Sequence, residues 1–360
     1  MHGKGRLAVA SGAAVIAGVA AYGIACACTI PAPLGGGGGP APCTPVAFDP
    51  TNPAGSGYVK VFSDTFPNGS TIDLANSQAP GFHWYIAGIF GGVEPAGDFT
   101  FDANGLIITQ AANGNLNQAM TTAIGSGSTY RGTVFAHGGY FEVVMAFNQA
   151  TVSGNGWPAF WGEAIEHIQN NRATADQWPG QAVGFEHFVE DDFFEWDIQD
   201  VKRWGSAVVD WSNVNGASCP AGYHAAGYCQ IYNLNGIGGN NGFNNVFLCA
   251  NASCPTVTWT NFNTLGHLWV AGDANNGQHG YTQTFFNGVE AKPGASGDSI
   301  VPWTDGVMPT PANLPNSPEV WAIHDQRSLA IILGAGVNQA FHIKQVNIWQ
   351  IPGCGTMTSQ

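Results

Sequence analysis

Charge is what this chain has least of. Only 9% of its 360 residues are Asp, Glu, Lys or Arg, against roughly 25% in an ordinary soluble protein. Basic residues are scarcest: 10 Lys and Arg face 24 Asp and Glu, a net charge of −14. That excludes a nucleic-acid partner, because neutralising phosphates needs a basic face. Helical periodicity is also missing. No helical pattern holds for more than a few residues, and 50 Gly with 21 Pro oppose long helices. There is no β-α alternation and no internal repeat, which excludes parallel α/β and solenoid architectures. No C-x-x-C pair and no His-x-x-x-His spacing is present, so neither a zinc site nor any other metal or cofactor is expected.

Aromatic residues are plentiful instead: 21 Phe, 12 Trp and 9 Tyr within a 44% apolar chain. Disordered chains lack such a composition, and this one suffices for one large domain. The chain opens with His2, Lys4 and Arg6 and then runs uncharged from Leu7 to Cys28, ending in small residues at Ala25-Cys26-Ala27. Residues 1–28 read as a secretory signal peptide or a membrane anchor. Gly23-Ile24-Ala25-Cys26 is similar to a bacterial lipoprotein processing site without its usual Leu, which leaves a lipid anchor as a variant. Residues 29–57, with Gly35–Gly39 and several Pro, read as a linker. The folded domain is expected over 58–360, as a monomer, secreted or held in the cell envelope. Eight Cys suit that oxidising setting. Of the fifteen pairings open to the six downstream of the leader, the cheapest joins Cys219 to Cys229, Cys249 to Cys254 and Cys43 to Cys354.

β-rich runs occur at Tyr58–Ser63, Leu106–Gln110, Gly139–Phe147, Phe188–Gln199, His267–Ala271, Tyr281–Asn287, Ser328–Leu333 and Phe341–Gln350. Tyr140–Phe147 is apolar on both faces, as in a strand covered on each side. Asn287-Gly288 after Phe285-Phe286 predicts a type I′ hairpin turn. Many strands separated by turn signals predict an all-β antiparallel sandwich. From Ser206 to Asn263 little pattern is visible, and the segment reads as a long stapled loop insertion.

Seven of the 24 acidic residues fall between Glu186 and Asp200, uninterrupted by Lys or Arg and interleaved with Phe188, Phe193, Phe194 and Trp196. Carboxylates crowded on a strand raise one another's pKa and cost stability, a cost typical of a site with a task. Paired carboxylates suit glycosidic bond cleavage, one as nucleophile and one as proton donor. Glu190 and Asp192 share a strand face. A β-bulge after Asp192 brings Glu195 to that face as well. The outer pair then spans roughly 13 Å of backbone. A retaining mechanism wants the two carboxyls about 5–5.5 Å apart, so the long Glu side chains must lean inward over the short Asp192.

Glu190-Asp191-Asp192-Phe193-Phe194-Glu195 resembles the ExDxxE signature of the family 16 glycoside hydrolases, laminarinase-like retaining endo-β-glucanases on a concanavalin A-like β-jelly roll. Phe62-Ser63-Asp64-Thr65-Phe66 is similar to that family's opening strand, and Gly156-Trp157-Pro158-Ala159-Phe160-Trp161 to its Trp-Pro strand lining the cleft. Phe285-Phe286-Asn287-Gly288 is similar to its late hairpin and Val346-Asn347-Ile348-Trp349-Gln350 to its closing strand, so the resemblance covers about residues 58–351. It implies Glu190 as nucleophile, Asp192 as its orienting partner and Glu195 as general acid/base, acting on a polysaccharide. Trp157, Trp161 and Trp178 are candidate sugar platforms, with core or surface packing as the plainer role of each. Glu166 and His167 read as plain loop residues. Asn68 and Asn251 head glycosylation sequons that matter only in a eukaryotic host.

The chain departs from the family twice. Asp191 stands where an aliphatic residue usually enters the core, and a buried unpaired carboxylate costs several kcal/mol or stays protonated. Glu195-Trp196-Asp197-Ile198-Gln199-Asp200 offers a second register with apolar residues inward but Asp at its end. Near the C-terminus Lys344 replaces an Asp that holds a structural calcium in many members, and no calcium is expected. A non-catalytic, lectin-like carbohydrate-binding protein on the same sandwich is the alternative.

Overall fold

Apolar residues that recur with period two give each strand a face to bury, and in this chain most strands have two. The computed structural model describes residues 47–86, 93–109, 117–124, 130–148, 150, 158–165, 185–196, 203–214, 224–225, 228–233, 244–247, 257–271, 281–293, 300–302, 328–335 and 340–359. They are almost entirely strand, with single 3₁₀ turns at Pro53–Ser56, Pro67–Gly69 and Ala96–Asp98. By backbone contacts the chain divides into units 1–41 and 42–360, and every described residue belongs to the second. Among the described residues no helix is long and apolar enough to cross a membrane; residues 1–28 lie outside them.

The principal strands are β1 (Val59–Asp64), β2 (Phe99–Asp102), β3 (Gly105–Ile108), β4 (Asn117–Met120), β5 (Tyr130–Ala136), β6 (Gly139–Phe147), β7 (Ala159–Ala164) and β8 (Phe185–Glu195). They continue as β9 (Arg203–Val214), β10 (Tyr228–Asn233), β11 (Asn244–Phe247), β12 (Asn263–Val270), β13 (Tyr281–Phe286), β14 (Ser328–Ala335) and β15 (Phe341–Gln350). One sheet runs β13–β12–β6–β15–β3–β2, with β1 beside the second half of β15. The other runs β10–β9–β8–β7–β14–β4, with β5 paired to the start of β14 and β11 to the start of β9. The chain changes sheet six times among these strands, from β3 to β4, β5 to β6, β6 to β7, β11 to β12, β13 to β14 and β14 to β15, so central neighbours such as β6 and β15 are distant in sequence, as in jelly rolls.

The sheets pack face to face over one apolar core. The first contributes Phe141, Val143, Met145 and Phe147 of β6 with Phe341, Ile343, Val346 and Ile348 of β15. The second contributes Phe160, Phe193, Trp204, Leu329, Ile331 and Leu333. This is the all-β sandwich expected from the sequence. A register shift in β15 between Ile343 and Gln345 lets residues of opposite parity, Phe341 and Ile343 then Val346 and Ile348, face the same core. On the outer face of the first sheet Tyr140, Leu268, Val270 and Phe285 form a second cluster covered by Phe48. Phe48 belongs to the stretch read as linker, so residues 47–57 fold onto the sandwich. Asn287 and Gly288 both take positive φ, 47° and 77°, as a type I′ turn requires.

Two expectations are corrected. The acidic strand, expected over Phe188–Gln199, runs Phe185–Glu195, and Trp196 leaves it to enter the core; residues 197–199 lie outside the described residues. Ser206–Asn263 is not all loop: β9 pairs with β8 from Glu195 back to Phe185, and β10 and β11 follow. Backbone pairing, of β9 to β8 and of β10 and β11 to β9, carries these strands, whose apolar residues are broken up by Gly, Ser, Asp and Asn. The same stretch supplies Trp259, fully buried and stacked on Phe147 with ring centroids 5.1 Å apart. Phe194, Trp196, Trp204 and Phe286 also meet it there. Cys354 is disulfide-bonded; its suggested partner Cys43 lies outside the described residues.

Candidate active site

β8 decides the geometry. Against β9, Asp192 pairs with Ala207 but Glu195 with Gly205, so β8 carries one extra residue between them. Against β7 the shift falls between Phe160, paired with Phe194, and Trp161, paired with Asp192. The extra residue lets consecutive Phe193 and Phe194 both enter the core. Glu190, Asp192 and Glu195 therefore share the outer face of the second sheet, as a bulge after Asp192 predicts. Glu190 and Glu195 are half-buried, while Asp192 between them is 2% exposed. Burial, and after it the charges of Glu195, Glu190, Asp191 and Glu163, push the Asp192 carboxyl well above the usual carboxylate range. A proton held at Asp192 lowers the repulsion in a row that could not all ionise together.

Strand pairing fills in the rest of this face. Glu163 stands opposite Glu190, Trp161 opposite Asp192 and Ala159 opposite Glu195. On β14, Ala330, Ile332 and Gly334 continue these three rows. Trp161, 5% exposed, packs with Met120, Tyr130, Val134 and Ile332 on the outer face. It forms the floor beside Asp192. Across the sheet the row through Glu195 reads Gly334, Ala159, Glu195, Gly205. Apart from the glutamate it carries nothing larger than a methyl group, and Ala159, Gly205 and Gly334 are all buried. Trp157, Trp178, Glu166, His167 and Asp197–Asp200 lie outside the described residues.

Two residues escape the reading of the sequence. Glu163 is 3% exposed and adds to the charge felt by Asp192. It follows Trp161 by two positions, so strand alternation alone places it on the same face. The second is His267, whose Nε2 lies 3.2 Å from Asp191 Oδ1. Asp191 is buried as expected, but it is partnered. His267 sits between Leu265 and Trp269 at the core-facing parity of β12, and that polar interruption of an apolar stripe is the available signal. Among the described residues no cluster of ligating side chains suits a metal ion.

No protein-family model matches the chain, and no curated protein does either. Among solved structures it is similar to the carbohydrate recognition domain of Emp47p, with a TM-score of 0.34 and 8% identity over 82% of this chain and 97% of that one. Basic winged bean lectin with Tn-antigen gives a TM-score of 0.29 and 9% identity over 84% and 100%. A carbohydrate esterase from the Shiga toxin-encoding bacteriophage phi24B gives 0.31 and 11% over 82% and 99%.

Proposed function

We propose that the protein is an exported glycoside hydrolase of the family 16 type, on a concanavalin A-like sandwich, that cuts internal β-glycosidic bonds of a polysaccharide with retention of configuration. The bulge at Phe193–Phe194 carries this reading, because it turns Glu195 to the face of Glu190 and Asp192. Glu190 attacks the anomeric carbon while Glu195 gives its proton to the departing glycosidic oxygen, leaving a glycosyl ester on Glu190. Glu195, now a carboxylate, takes a proton from water, whose oxygen attacks the same carbon and frees Glu190. Asp192, holding a proton, orients Glu190 and spares it a third adjacent charge. Trp157 and Trp178 serve as sugar platforms, and the scheme uses no cofactor.

Reducing-end release from laminarin, lichenan, agarose and xyloglucan tests this. Both Glu190→Gln and Glu195→Gln are expected to lower kcat/KM by roughly a thousandfold or more on the polysaccharide that is cut. On an aryl glycoside whose leaving group departs without a proton, Glu195→Gln keeps a burst of aryl release and Glu190→Gln has none. Binding of a glycan without cleavage points instead to the lectin-like alternative. Full activity in Glu190→Gln, with loss in Asp197→Asn, shifts the site to the second register.

A further inference from the structure

Among the described residues a polar seam crosses the core between the sheets directly behind Asp192. Asp191 enters it from β8, fully buried and opposite Gly162, which offers no side chain. His267 enters from β12 in the other sheet, 2% exposed, with Nε2 at 3.2 Å from Asp191 Oδ1. The imidazole stacks on Phe193, the first residue of the bulge, with centroids 4.5 Å apart and planes 23° from parallel. Beside it Thr284, paired with His267 across β12 and β13, comes within 3.4 Å of Ser206. Ser206 Oγ donates to the Asp192 carbonyl oxygen at 2.9 Å. Polar side chains from four strands thus meet beneath the residue that lies at the centre of the carboxylate row.

A buried carboxylate–imidazole contact is a poor stabiliser, since taking such polar groups from water offsets most of their attraction and apolar residues fill such sites as well or better. The place of this pair argues for another task. We propose that Asp191 and His267 form a positioning pair that ties the bulged strand to the opposite sheet and fixes the outward aim of Glu190, Asp192 and Glu195. The inference rests on the glycosidase reading of that row. Asp191 is held by its carboxylate from the far sheet, and Asp192 by its carbonyl through Ser206. Two successive residues are therefore pinned from the core side just before the bulge, so their outward neighbours keep one orientation through both displacement steps. The groups facing Asp192 among the described residues are Glu190, Glu195 and Asp191 of its own strand, Glu163 of β7 and the Ser206 hydroxyl of β9. Those facing Asp191 from across the core are His267 and, beside it, Thr284. Asp191 also adds its charge to the field that keeps the proton on Asp192.

The test compares the full-length wild type with Asp191→Asn, His267→Gln and the double variant Asp191→Ile/His267→Leu. Thermal unfolding, kcat, KM, the pH profile of kcat and the titration of the Asp192 carboxyl by carbon-13 NMR are followed. The double variant is expected to keep its melting temperature, because two apolar side chains fill the seam. Its KM stays within about twofold while kcat falls roughly tenfold or more, as misaimed reacting groups require. In Asp191→Asn, Asp192 loses its proton at lower pH, and the alkaline limb of the kcat profile moves down with it. A double variant with wild-type kcat and pH profile overturns the proposal. Should that variant not fold, the near-isosteric Asp191→Asn decides: an unmoved Asp192 titration and pH profile overturn it. A wild type that cuts no glycan ends the glycosidase reading, and the NMR titration of Asp191→Asn then judges the pair alone.

Discussion

Asp192 is buried beside the carboxylates of Glu195, Glu190, Asp191 and Glu163, and all of these raise the pH at which it gives up its proton. Its folded pKa therefore exceeds its unfolded value, so the stability this group contributes is present in acid and is lost as pH rises through the folded pKa. Glu163→Gln removes one raising charge without shortening the side chain. The variant is expected to gain melting temperature at pH 8 and little at pH 4, and to release the Asp192 proton at lower pH. Scanning calorimetry at the two pH values checks the first point; equal gains at both speak against electrostatic coupling. Glu190, Asp192 and Glu195 are legible in the sequence because they stand within six consecutive positions. Glu163 and His267 are not, because strand pairing brings Glu163 into the row, and sheet packing sets His267 behind it, from distant stretches of chain.

At the scale of the strand, one inserted residue does the same work twice. In β15 it lets Phe341, Ile343, Val346 and Ile348 share the core, and in β8 it buries Phe193 and Phe194 and turns Glu195 to the outer face of Glu190 and Asp192. A strand that kept strict alternation through 195 would face Glu195 into the apolar core. Strands with strong alternation or continuous apolar runs, such as β6, β14 and β15, are visible in the sequence almost to the residue. β9, β10 and β11 are hidden, since their identity as strands comes from the backbone bonds offered by β8 and its neighbours. Trp259 shows that this stretch is structural. Trp259→Ala is expected to cost about 3–5 kcal/mol, read from urea unfolding with an unchanged slope. A loss below about 1 kcal/mol would mean that the aromatic end of the core closes without it.

Over the whole molecule the scarcity of charge becomes a matter of placement. A sandwich with a net charge of −14 that gathers carboxylates on one outer face repels polyanions from that face. Neutral β-glycans are therefore expected to be cut in preference to sulfated or uronate chains at low ionic strength, with the difference shrinking as salt screens the field. Initial rates on matched neutral and anionic polysaccharides at two salt concentrations check this; a preferred anionic substrate at low salt contradicts it. The row of small residues through Glu195 has a consequence of its own. Four adjacent strands, β14, β7, β8 and β9, contribute one residue each, so the row crosses the sheet in steps of about 4.8 Å and measures roughly 14 Å from end to end. On the glycosidase reading, the hydrogen-bonded spacing of the sheet acts as a ruler laid across the strands, and the sheet itself meters out the sugar units on either side of the bond to be broken.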